Sequence, residues 1–150
     1  MADLTDELES VTGKPMDGNK CKLLKSELAE QSDPPVVSIT QFFDGNDDPG
    51  SIGCNLPDHP GMDVFREVLT GLLQRPDVEG VYAQIAEVDP GDDSWPFADT
   101  VLVVGKIVPD ALQAALASLE PDDVWLGDES HVPLSVRLMH NAPTLVAWWD

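Results

Sequence analysis

The chain has 150 residues, with 28 acidic against 8 basic side chains, a formal charge of −20 and a pI near 4.1. Its length suits one domain, and 42% hydrophobic with 24% charged residues is the composition of a folded protein rather than a disordered one. The acidity argues against direct binding of DNA or RNA, which needs clustered Lys/Arg.

No apolar run approaches the roughly 20 residues that span a bilayer. The opening Met-Ala-Asp-Leu-Thr-Asp-Glu has neither the basic nor the apolar region of a secretory signal, so a cytoplasmic protein with no membrane contact is expected. Cys21 and Cys54 are too few for a disulfide framework and read as small buried thiols. The charge is uneven. Residues 1–26 hold four lysines and five acids, whereas 27–150 hold four basic and 23 acidic residues. Residues 1–20 lack a sustained apolar period and are broken by Gly13-Lys14-Pro15 and Asp17-Gly18-Asn19. They read as an arm whose basic end folds back on an acidic body, leaving 21–150 as a single α+β domain.

Along that body, residues 21–31 favour a short helix with Leu24 and Leu28 at i, i+4. Val36 to Phe43, rich in β-branched and aromatic residues, predicts a strand. Residues 63–75 carry Val64, Phe65, Val68, Leu69, Leu72 and Leu73, the stripe of an amphipathic helix stopped by Pro76. Gly80 to Val88 alternates as a strand. Asp99 to Gly105 holds the unbroken Val101-Leu102-Val103-Val104 run of a central strand. Pro109 opens a second striped helix over 110–119, a strand follows at 123–126, and 132–149 predicts one or two more strands.

The middle of the chain thus orders as βαββαβ, which resembles a ferredoxin-like split βαβ domain. The fold expected is α+β: an antiparallel sheet with two helices on one face, an N-terminal helix and arm, and a C-terminal strand extension. In that arrangement strands 36–43 and 99–105 pair centrally. The resemblance implies no iron–sulfur cluster, because the cysteines for one are missing, and no cofactor is expected.

Two connections carry the candidate chemistry. The eighteen residues 44–61 exceed an ordinary loop and mark a functional-loop candidate. Within them Asp44, Asn46 and Asp48 alternate like the start of a calcium loop, but Pro49 and Asn55 stand where Gly and a bidentate Glu are needed. With His59 they are at most a weak metal set, and Asp/Asn turn chemistry is the better reading. The second connection, residues 89–97, places Asp92 and Asp93 before Trp95 and Phe97. Those aromatics read either as core or as an exposed anchor for a partner.

Phosphate-cradling, nucleophile-elbow and zinc-protease motifs are absent, and nothing marks a catalytic acid and base. The function read from these features is an acidic binding protein of the immunity or inhibitor kind, monomer or homodimer. It would dock a basic protein through Asp44, Asp47, Asp48, Asp92, Asp93, Trp95 and Phe97. The alternatives are a hydrolase or ligand-binding domain built on the Asp44–Asp63 loop, or charge that serves solubility alone.

Overall fold

In the computed structural model, residues 18–31, 34–91, 94–128 and 132–150 are described. The elements run α1 (Gly18–Ala29), β1 (Val36–Ser38), α2 (Ile39–Phe43), α3 (Met62–Gly71), β2 (Val78–Glu87), β3 (Phe97–Gly105), α4 (Pro109–Ala115), β4 (Asp123–Leu126), α5 (Leu134–Met139) and β5 (Thr144–Trp148). The strands form one antiparallel sheet in the order β1-β2-β3-β5-β4. The expected α+β class holds, with a layout consistent with a ferredoxin-like α+β fold.

The pairing inside the sheet differs from the split βαβ expectation. β1 lies at one edge against β2 alone, and β3 sits between β2 and β5. β2 and β3 pair along nearly their whole length, from Val78↔Gly105 to Glu87↔Phe97, and β5 takes the other side of β3 through Val101↔Ala147 and Val103↔Leu145. No side of β3 is left for β1. The unbroken Val101–Val104 run marks a strand buried on both faces, and β3 is that strand. Val101 and Val103 face one core, while Leu102 and Val104 face the other.

Both long helices cover the same face, as expected. Phe65 and Leu69 of α3, Leu72 just beyond it, and Leu112 of α4 with Leu116 and Leu119 after it share one cluster with Val101, Val103, Leu145 and Ala147. Leu24 and Leu28 of α1 join them. Trp149 closes this core, its indole N–H donating to Leu119 O at 2.8 Å.

One element corrects the sequence reading. The strand expected over 36–43 ends at Ser38, whose hydroxyl accepts from Gln41 N–H and starts α2. Ile39, Phe42 and Phe43 sit at i, i+3 and i+4, and all three are buried. That spacing serves a helix as well as the β-branched composition serves a strand, and the serine cap decides. Of the one or two strands expected over 132–149, one forms, β5, and the earlier part of that stretch is the helix α5, lying on the opposite face with Val132 and Val136 buried beside Leu102 and Val146. Leu134 and Leu138 are an exposed i, i+4 pair on that helix.

Of the arm expected over 1–20, residues 1–17 lie outside the described residues, and 18–20 begin α1. Two lysines of α1 pair with acids of the body. Lys20 pairs with Asp44 at 2.7 Å, and Lys25 with Asp89 at 2.9 Å and Gly91 O at 2.8 Å. Exposed pairs of this kind are worth little each.

The edge formed by β1 is closed by a side chain. Gln31 donates its amide N–H to Val36 O and accepts from Val36 N–H, both at 2.9 Å, as a neighbouring strand would. Gln31→Ala should remove both bonds and cost about 1–2 kcal/mol. Urea melts check this, and an unchanged midpoint would show that the amide clamp contributes nothing.

Candidate functional site

The two candidate connections meet at Asp48. One of its carboxylate oxygens accepts from Gly50 N–H and the other from Trp95 N–H, each at 2.9 Å, so a single side chain ties residues 46–51 to the β2–β3 connection. Asn46 is fully buried. Its side-chain oxygen accepts from Asp48 N–H at 2.9 Å, and its amide donates to Ser51 Oγ at 3.0 Å and Phe42 O at 3.3 Å. Asn46 and Asp48 of the D-x-N-x-D pattern are therefore spent on backbone donors and Asp44 on Lys20, the turn chemistry that competes with cation binding at such sequences.

His59 is spent in the same way. Gly61 N–H donates to its Nδ1 at 2.9 Å, which leaves Nε2–H to donate to Ile52 O at 3.0 Å. Its ring also leans on Phe65, with centroids 5.0 Å apart. Among the described residues, no three His, Cys, Asp or Glu side chains converge as metal ligands.

Trp95 is not an exposed anchor. It is 1% exposed and packs within the main core, while Phe97, the first residue of β3, is half-buried. The Asp48 bond holds the Trp95 backbone against the 46–51 turn, and the apolar indole is buried in the core cluster there. Asp92 and Asp93 lie outside the described residues. Asp44 and Asp47 are exposed, Asp44 paired with Lys20 and Asp47 lying 3.6 Å from Arg66.

Arg66 is the hub that sequence reading missed. From α3 it donates to Asp63 at 2.9 Å, Asn46 O at 2.7 Å and Phe43 O at 3.3 Å, with its guanidinium 5.7 Å from the Phe43 ring centre. It borders an open groove of about 710 Å³ lined also by Ser38, Gln41, Phe43 and Thr70. Its partners are scattered over 43–63 and no local motif announces them. With Asp47 and Asp63 beside it, this cation is already neutralised.

On the opposite face, Glu79, His140 and Tyr82 form a chain. Tyr82 O–H lies 2.6 Å from His140 Nε2, and His140 Nδ1 lies 3.3 Å from Glu79. Burial pushes the Tyr82 phenol above its ordinary pKa, so it keeps the proton it donates. The chain fastens the end of α5 to β2, across a sequence separation that hid it. Burial likewise pushes the Cys21 thiol up, as expected of an inert core cysteine. Cys54, expected in the core, is exposed, because it stands in the surface loop after the Pro49–Ser51 turn.

What remains for recognition is the charge on the surface. Lys20, Lys25, Arg66 and Arg75 each spend their charge on an aspartate, and Arg75 holds the Asp77 carboxyl below its usual range through two hydrogen bonds. Asp58, Glu67, Glu87, Asp110 and Glu120 stand exposed with no ion pair among the described residues. Among the described residues, no helix is long and apolar enough to cross a membrane.

Fold and surface together define a class: an α+β domain whose loop polar groups largely serve its own backbone and whose described surface carries several exposed carboxylates outside any ion pair. The chain belongs to the family described as "Uncharacterized protein YfbO family", whose profile matches residues 19–145. It is similar to the "Uncharacterized protein YfbO" of Escherichia coli strain K12, with 30% identity over 122 residues covering 77% of this chain and 83% of that protein. No solved structure matches it.

Proposed function

We propose that this is a cytoplasmic, non-enzymatic binding protein of the inhibitor or immunity kind, which docks a basic protein against its carboxylate surface. The observation that carries the reading is the asymmetry of pairing. Four of the chain's cations are consumed by intramolecular aspartates, while exposed acids on several elements keep an uncompensated field. Such a field steers a basic partner into encounter and sets the salt sensitivity of the complex.

The Asp44–Asp63 loop supports the binding reading over a hydrolytic one, because Asn46, Asp48 and His59 are engaged in holding the loop. The test is binding to a lysine-rich histone, with a neutral and an acidic protein as controls, at about 50 mM salt. Selective binding of the basic protein is expected. Equal or absent binding across the three would leave solubility as the role of the charge.

A further inference from the structure

The two edges of the sheet are treated differently. At β1, Gln31 occupies both outward backbone groups of Val36. At the other edge, β4 pairs only with β5. Gly127 N–H donates to Thr144 O at 2.8 Å, and with the register Trp125↔Val146 this sets the alternation. Residues 123, 125 and 127 turn their backbone groups toward β5, so Val124 and Leu126 turn theirs outward.

The Asp123 carboxylate accepts from Val124 N–H at 2.9 Å and closes one of these groups. Val124 C=O and both backbone groups of Leu126 have no strand beside them among the described residues, and the Leu126 side chain is 60% exposed. Open edges of this kind are ordinarily blunted, because they template pairing with another chain.

We propose that β4 is a docking edge that accepts an extended, lysine- or arginine-rich segment of a partner protein as a sixth strand. The proposal rests on the acidic-binding reading above and names its surface. Charge complementarity selects the occupant. No Lys or Arg occurs from 107 to 136 or from 138 to 150, a stretch that contains β4 and the strand it pairs with. Glu120, Asp122, Asp123 and Asp150 gather at one end of the edge, where Asp150 N–H donates to the Asp122 carboxylate. A second copy of this chain would bring the same acids to the same edge at −20 per protomer. Main-chain bonds then supply affinity, and alternate basic side chains of the segment meet the acids.

The test compares two synthetic peptides with the whole chain by fluorescence anisotropy in low salt. One alternates Lys and Val. The other has the same sequence and charge but carries N-methyl groups on alternate residues, so that it cannot pair as a strand. Wild-type protein should bind the unmodified peptide about tenfold or more tightly than the methylated one. Leu126→Pro, which removes an outward N–H that the β4–β5 ladder does not use, should abolish the difference. If that variant fails to fold, Leu126→Lys should weaken the unmodified peptide by a similar factor.

Equal binding of the two peptides to wild type overturns the docking edge and leaves the acidic-surface reading standing. Binding of neither peptide overturns both. A persistent difference in the variants overturns the edge, as does a wild-type dimer in sedimentation that Leu126→Pro dissolves, since the edge would then serve self-pairing.

Discussion

Trp95→Ala should destabilise the fold by about 3–5 kcal/mol, the range for deleting a large buried aromatic, and lower the melting temperature by roughly 10 °C in a chain of this size. The side chain is 1% exposed and belongs to the cluster that includes Leu24, Ile52 and Phe65. Its backbone N–H is held by Asp48, so the cavity cannot be closed by sliding the connection inward. Trp95→Phe should lose much less. It keeps most of the apolar volume and removes an indole N–H that has no acceptor among the described residues. Differential scanning calorimetry of both variants decides the matter, and an unchanged melting temperature in Trp95→Ala would return this residue to the surface.

Gly105→Ala should be of similar severity, costing about 3 kcal/mol or more through positive-φ strain and a backbone clash together. Gly105 closes β3 at φ +148, and an added Cβ would press on Asp77 O and come within 2.9 Å of Val78 Cα. The Asp77 carbonyl is not free to retreat, since it accepts from Lys106 N–H at 2.9 Å and Ile107 N–H at 3.1 Å. These bonds fasten the end of β3 to the start of β2. A chemical melt of the variant gives the number, and a loss below about 1 kcal/mol would mean that the junction relaxes at little cost.

What could be read from the sequence was governed by period and by range. The stripes of 63–75 and 110–119 are long enough to fix both helices and their shared face, and the Val101–Val104 run announced the central strand. Short segments failed. Ile39, Phe42 and Phe43 satisfy strand composition and helical spacing at once, and one serine hydroxyl at Ser38 breaks the tie. Strand order failed for another reason. β5 takes the side of β3 that the βαββαβ pattern reserves for the first strand, and the apolar Leu145–Trp149 stretch carries no mark of which neighbour it will choose.

The loop residues were legible as turn formers, and Asn46 and Asp48 behave as such. The tie between Asp48 and Trp95 spans 47 positions and the Tyr82–His140 pair spans 58, so neither leaves a local trace. Burial of Trp95 goes with that tertiary wiring, and exposure of Cys54 with its place in a surface loop.

Recognition of a basic surface by the unpaired carboxylates is what remains to be measured. The most direct measurement is the slope of log Kd against log salt for the histone complex between about 50 and 300 mM. It should be taken for wild type and for a variant with Asp58, Glu67, Glu87, Asp110 and Glu120 converted to their amides. We expect a steep slope for the wild type and a flatter slope with weaker low-salt binding for the variant, at a preserved melting temperature. Identical Kd values and slopes for the two proteins would contradict the account.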